Sequence, residues 1–279
     1  MEAGKEKVAV VVVAYRSQLD PYEEIALKQC LRILSSHPLI VVKPLSLNIG
    51  HWPFSDREIQ FESFPDAHFQ NIDAYSRLLL SPAFYKRFLN YEYILIYQLD
   101  AFVFSDTLLS WCNKSKDYVG APWFERFSSK ENEGDFIGVG NGGFSLRNVA
   151  AHLKVLNTFS YITRSKANWS NRFKDNVANN SWLKNIAGFI LDHTVRNNTH
   201  WLLNNYKGNE DMFWGLSVAP QLDWFKVPDY EEAAAFAFEM QPRRLFELNQ
   251  HQLPFGCHAW WKYDLDFWKP HIESFGYQL

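Results

Sequence analysis

Asp100 closes the run Tyr93-Ile94-Leu95-Ile96-Tyr97-Gln98-Leu99 and precedes another apolar stretch, Ala101-Phe102-Val103-Phe104. A carboxylate at the end of a buried strand is placed to hold Mg2+ or Mn2+ against phosphate oxygens, because these ions use one or two carboxylates plus substrate oxygens. A helix cap or a solvated strand end would use the same residue. The adjacent acids Glu210-Asp211 precede Met212-Phe213-Trp214. A carboxylate there can take a proton from an attacking hydroxyl, or only favour a helix N-terminus. Trp214 falls three residues after Asp211, near the same face of a helix. His258 stands in Gly256-Cys257-His258-Ala259-Trp260-Trp261. A neutral imidazole there completes an oxygen-rich metal site, or packs without function. If a helix begins at His258, Lys262 lies one turn on and can meet a phosphate. Cys257 as a nucleophile has no Cys–His–Asx pattern to support it.

The glycine-dense stretch Gly138-Val139-Gly140-Asn141-Gly142-Gly143 lacks the G-x-G-x-x-G register and the Lys-[Ser/Thr] ending of phosphate loops. Its Gly-Gly pair allows backbone to approach a ligand closely, or forms a tight turn.

These residues need elements to carry them. The β-branched run Val8–Ala14 reads as a strand buried on both faces, as in a parallel sheet. Pro21–Ser35 follows as a helix and Leu39–Val42 as a second buried strand closed near Pro44, which together make a βαβ unit. Such an opening favours an α/β sheet with its ligand crevice at the carboxyl ends of the strands. Ser46–Asp66 reads as loop, Asn71–Leu80 as helix with a second through Phe88, and Tyr118–Ala121 as a short strand. Residues 125–135 form a charged connection. Val149–Phe159 reads as helix, and 160–208, rich in Asn and Trp, as an insertion. The acidic pair starts a helix, and Leu253–Trp261 is a loop entering one. With no internal repeat or low-complexity linker, one continuous sheet carrying two functional halves is expected.

The chain has 279 residues, 47% hydrophobic and 21% charged, with a formal net charge of −3, which suits a packed globular protein. That balance argues against nucleic acid as a partner. The apolar runs are far short of the ~20 residues of a membrane-spanning helix. The first residues lack the order of an export signal, so the chain reads as cytosolic. The N-x-[ST] matches at Asn113, Asn168, Asn179 and Asn197 then read as chance. Three cysteines indicate neither a disulfide framework nor a zinc ribbon. Eleven Trp in an aromatic fraction of 17% suggest flat faces kept for a ligand.

An early strand, a strand-end acid, a glycine loop, an Asn-Glu-Asp and a late His stand in the order found in GT-A-fold glycosyltransferases, which the chain resembles. It resembles more closely a group catalogued as a domain of unknown function. The likeness lies in Tyr97-Gln98-Leu99-Asp100-Ala101-Phe102, Gly140-Asn141-Gly142-Gly143-Phe144-Ser145-Leu146-Arg147, Asn209-Glu210-Asp211 and Pro254-Phe255-Gly256-Cys257-His258. It runs from about Val8 to Trp268.

The resemblance implies a three-layer α/β/α, Rossmann-like GT-A fold with a mostly parallel sheet. It implies one catalytic domain over 1–279, with a nucleotide-sugar half at about 8–122 and an acceptor half at about 136–268. It implies a nucleotide-diphosphate-sugar donor, a divalent cation (Mn2+ or Mg2+) and a hydroxyl acceptor on a glycan, a lipid-linked sugar or a protein. The enzyme would work in the cytosol, or beside a membrane carrying its acceptor. Residue by residue, Asp100 becomes the last acid of the Asp-x-Asp metal motif, and Gln98 stands where its first acid is expected. Asn141, Gly142 and Gly143 lie beside the donor, and Ala14, Tyr15 and Arg16 touch the nucleotide. His258 is the late metal and diphosphate ligand, with Lys262 on the diphosphate. Asp211 is the base of an inverting transfer, with Glu210 the second choice. Trp214, Trp260 and Trp261 are platforms for sugar rings, and Trp169, Trp182 and Trp201 shape the acceptor site. A retaining transferase of the same fold and a non-catalytic carbohydrate-binding protein, which Gln98 favours, are the alternatives.

Overall fold

The computed structural model describes residues 5–54, 58–125, 134–159 and 199–279. Strand β1 (Glu6–Val13) sits inside the main sheet. Its Val8, Val10 and Val12 face one core, and Ala9, Val11 and Val13 face the other. That two-sided burial is why the run is apolar without alternation. Helix α1 (Pro21–Ile33) starts from Asp20, whose carboxylate accepts from the Glu23 backbone while Glu23 accepts from the Asp20 backbone. Strand β2 (Leu39–Pro44) then pairs parallel to β1.

The stretch expected to be loop holds a third strand, β3 (Gln60–Phe64), parallel to β2 at the sheet edge. Only Phe64 of its residues is buried, so no apolar run announces it. Helices α2 (Ile72–Leu79) and α3 (Pro82–Tyr85) lead to β4 (Tyr91–Tyr97), which pairs parallel to β1 on its other side. Next come β5 (Ala101–Val103), α4 (Leu108–Asn113), β6 (Tyr118–Val119), β7 (Ala121–Phe124), β8 (Phe136–Gly140), β9 (Phe144–Asn148) and α5 (Val149–Asn157).

The main sheet has six strands in the order β3-β2-β1-β4-β9-β6. Strand β9 pairs antiparallel with both β4 and β6, and the other pairings are parallel, so the sheet is mainly parallel. Leu27 and Cys30 of α1 pack on one face, while Leu78 and Leu79 of α2, Phe84 of α3 and Val155 of α5 pack on the other. The α/β class and its layering are as expected.

The single continuous sheet is not. The run expected as one strand over Tyr118–Ala121 divides at Gly120, with β6 in the main sheet and β7 in a two-stranded sheet with β8. A third sheet joins β10 (Ala237–Phe238), β11 (Gly256–His258) and β5 in the order β10-β11-β5. A cluster containing Phe102, Phe238, Trp260, Phe267 and Trp268 packs with that small sheet.

His258 therefore ends a strand and does not start a helix. Ala259 follows with φ 52°, a left-handed turn that reverses the chain. Of the expected insertion, Thr199–Asn205 is helical. Trp169, Trp182, three of the sequons (Asn168, Asn179 and Asn197) and most of the charged connection lie outside the described residues. Among the described residues no helix is long and apolar enough to cross a membrane.

Candidate active site

Asp100 lies in the turn between β4 and β5, three residues past the end of β4. Strand β5 pairs antiparallel with β11 in a register that sets Ala101 opposite His258. That pairing carries a residue from the far end of the chain to Asp100. His258 Nε2 lies 3.0 Å from Asp100 Oδ1, and Lys262 Nζ lies 2.6 Å from Oδ2. On its other side, His258 Nδ1 is 2.8 Å from Glu239 Oε1. Burial works against charge on Asp100, but His258 and Lys262 outweigh it and hold the carboxyl below its ordinary range. Burial likewise opposes the charged imidazole, yet Asp100 and Glu239 raise His258 to about 10.

The glycine loop closes over this cluster. The Gln98 backbone N–H donates to the Gly143 carbonyl at 2.7 Å, tying the loop to the end of β4. A Cβ on Gly143 would stand 1.9 Å from His258 Nε2, so only glycine lets the ring pass. Asn141 is fully buried, and its Oδ1 accepts from the backbones of Gly143 and Phe144. It braces the loop from inside, a structural role beside the donor contact that the resemblance implies.

One residue before Gly143, the Gly142 N–H donates to Asp211 Oδ2 at 2.9 Å. Asp211 is partly exposed at the start of the short helix Glu210–Met212. Burial, then the charge of Glu239, push its carboxyl above the ordinary Asp value. Its neighbour has another task. Glu210 is 3% exposed and meets the fully buried Arg147 through two contacts, Oε1 at 2.8 Å and Oε2 at 3.0 Å. Burial pushes the Glu210 carboxyl up to about 7 even against the pull of Arg147. Arg147 also donates to Ser145 and Tyr85. Glu210 is thus an anchor inside the core, which removes it as the second choice for a base.

The tryptophans divide in the same way. Trp214 is 0% exposed and packs on Tyr85, His152 and Phe225. It follows Glu210 by four residues and shares that inward face, not the face of Asp211. Trp260 is also 0% exposed, in the aromatic cluster below β11. Neither can stack on a sugar. Trp261 is half-buried, with Tyr22 at 5.5 Å and Lys262 beside its ring, and keeps an accessible aromatic surface. Lys262 reaches the cluster through the turn at Ala259 and not through a helical face.

At the end of β1, Ala14 is buried and donates to the Val42 carbonyl. Tyr15 is 48% exposed and donates to Glu23, and Arg16 pairs with Glu23 and Asp20. Burial and Glu23 push the Tyr15 hydroxyl up, and the Asp100 charge adds to the rise, so these two strand ends share one electrostatic neighbourhood.

Glu239 was missed in the sequence. A signal was present, since Ala233–Phe238 is an apolar run closing on an acid, just as the run before Asp100 does. It went unread because the run begins inside a helix, Tyr230–Phe236, and contributes only two residues to a strand.

Asp100 and His258 fit a divalent cation in one specific respect. The contact between His258 Nε2 and Asp100 Oδ1 is off the hydrogen-bonding line, which leaves Nε2 a buried nitrogen without a hydrogen-bond partner. Its other nitrogen is held by a carboxylate, the arrangement that commonly orients a metal-binding imidazole. Among the described residues no three His, Cys, Asp or Glu side chains form a closed metal cage. Two protein ligands plus phosphate oxygens is the coordination that Mg2+ and Mn2+ ordinarily accept. A cation binding there takes the place of the imidazole proton.

The family described as "Protein of unknown function (DUF5672)" matches residues 58–258, which span the strand-end acid, the glycine loop, the acid pair and His258. The chain belongs to that family. No curated protein matches it. Two solved structures are similar in shape. One is described as a glycosyltransferase involved in the glycosylation of the major capsid of PBCV-1, with TM-score 0.46, 10% identity, and 96% of this chain and 99% of that chain covered. The other is the galactosyltransferase LgtC in complex with donor and acceptor sugar analogs, with TM-score 0.46, 11% identity, and 90% and 86% of the two chains covered.

Proposed function

We propose that this DUF5672 protein is a GT-A-type glycosyltransferase that moves a sugar from a nucleotide-diphosphate sugar to an acceptor hydroxyl with inversion. The observation that carries the reading is the glycine loop. Gly142 holds Asp211, and the next residue, Gly143, abuts His258 of the cationic pole. A carboxylate able to accept a proton and the imidazole of the proposed pole thus meet adjacent residues of one turn, which supports this reading.

In this reading the donor's diphosphate lies against Asp100, His258 and Lys262, and its nucleotide runs toward Tyr15 and Arg16. Asp100 and His258 would hold a divalent cation there, and such an ion would supply charge stabilisation to the departing diphosphate. Gln98 is a weaker cation ligand than the acid expected there, and Lys262, held by Asp100, adds a positive charge toward the diphosphate. Asp211 takes the acceptor's hydroxyl proton while that oxygen bonds to the anomeric carbon from the opposite face. The bond from the anomeric carbon to the diphosphate breaks, and the nucleoside diphosphate leaves with the electron pair. The raised carboxyl of Asp211 makes it a better proton acceptor than an ordinary aspartate. Trp261 offers the aromatic surface on which a sugar ring packs.

The test is release of free nucleoside diphosphate from a panel of sugar nucleotides, with Mn2+ and with a chelator, for the wild type and Asp211→Asn. The reading expects release with at least one donor, and a fall of about 100- to 10,000-fold in the variant. Binding of sugar with no release from any donor would return the protein to the non-catalytic class. Transfer by Asp211→Asn at the wild-type rate would remove Asp211 from the base role.

A further inference from the structure

We propose that Glu239 is a positioning residue for the donor pole, holding the Nδ1–H of His258 so that Nε2 is the nitrogen left to a cation bound beside Asp100. This rests on the glycosyltransferase reading above and adds a residue to it. Strands β10 and β11 pair in parallel with Phe238 beside Cys257, so the next residues, Glu239 just past β10 and His258 at the end of β11, stand side by side. Both side chains are largely withdrawn from water, at 14% and 12% exposure. Glu239 Oε1 lies 2.8 Å from His258 Nδ1, and Oε2 accepts from Trp123 Nε1 at 3.5 Å. The carboxylate is therefore tied at both oxygens.

The chemistry follows from the imidazole. The neutral ring that a cation would need carries one N–H, and a carboxylate at Nδ1 would keep it there, leaving Nε2 as the acceptor. Nε2 is the buried nitrogen without a hydrogen-bond partner. Withdrawing a negative second partner from such a ring lowers its basicity and frees its orientation, and commonly weakens metal binding by about 10–100-fold. The backbone around the pair is strained on both sides. Gln241, two residues after Glu239, has φ 53°, and Ala259, directly after His258, has φ 52°. Non-glycine residues persist in that conformation where the surroundings over-determine it.

The experiment titrates Mn2+ alone into the full-length wild type and Glu239→Gln, reading free Mn2+ by its electron paramagnetic resonance signal, with a thermal melt on each protein. The expected result is a cooperative melt for both and a loss of roughly 10–100-fold in Mn2+ affinity for the variant. Equal affinity in the two proteins overturns the role of Glu239 and leaves the transferase reading standing. No Mn2+ binding by the wild type overturns the cation pole itself. If the variant does not fold, 15N-histidine spectra of the wild type with Mg2+ decide, with His258 assigned by its loss in His258→Asn. Nε2 should shift while Nδ1 stays protonated. A shift at Nδ1 in place of Nε2, or at neither nitrogen, overturns the proposal.

Discussion

Glu210 and Asp211 are neighbours in the chain with opposite surroundings, and substitution should separate them. Removing the charge of Glu210 leaves Arg147 buried and uncompensated, because its other two contacts, Ser145 and Tyr85, are neutral hydroxyls. Breaking a buried pair on one side commonly costs about 3–5 kcal/mol. Glu210→Gln should therefore lose stability of that order in denaturant unfolding, while the molecules that remain folded keep their turnover. Asp211→Asn should do the reverse. The direction of the Asp211 shift also sets a pH dependence. A base must be ionised to act, and burial with Glu239 raises this carboxyl above its ordinary value. The acid limb of kcat/KM should then fall at a pH above the ordinary Asp range. Glu239→Gln, by removing one raising charge, should move that limb to lower pH. The acid pair was visible in the sequence, but its division of labour was not. What divides it is Arg147, which is 63 positions away from Glu210 and shows no spacing that points to it.

The elements position the site through close approach, and here the glycines are the sensitive points. Gly143→Ala should push the His258 ring aside, since its Cβ would overlap Nε2, whereas Gly142→Ala meets Glu210 and Asp211 only at 3.2 and 3.5 Å. Thermal melts with and without Mn2+ should show the cation's stabilising effect abolished in the first variant and retained in the second. Which elements could be read in advance follows from burial. Strand β1 was legible because both its faces are covered, so every residue from Val8 onward is apolar. Strand β3 was not, because four of its five residues remain at least partly exposed. Strand β11 is three residues long and takes its partners from β5 and β10, which no local pattern around His258 could disclose.

For the whole molecule, the aromatic surplus resolves into two uses. Trp214, Trp260 and Trp268 are among the largest fully buried side chains, so much of the surplus fills cores under the sheets. Among the described residues, half-buried Trp261 stands beside Lys262 at the site. A ligand that binds only the native state stabilises it by about 2.7 kcal/mol at a hundred times its Kd. For a chain of this size, the correct nucleoside diphosphate with Mn2+ should raise the melting temperature by several degrees. The rise should shrink when Mn2+ is withheld, because the pole at Asp100 and His258 is then incomplete. The overall α/β plan was legible from a few apolar runs. That residues near 100, 142, 211 and 258 share a site was implied by the resemblance and by no local pattern, and Glu239 was missed, since strand pairing between distant segments brings them together.

The pairing of β5 with β11 also bears on how the protein is made. Asp100 leaves the ribosome long before its partner His258, which lies far along the chain from it. During synthesis the early strands can associate as they emerge. In the proposed reading, Asp100 then waits for its second ligand until β11 pairs with β5. A nascent chain that stops short of β11 would carry Asp211 and the glycine loop without the imidazole of the proposed donor pole. Synthesis of β11 and the proposed ability to hold a donor thus arrive together.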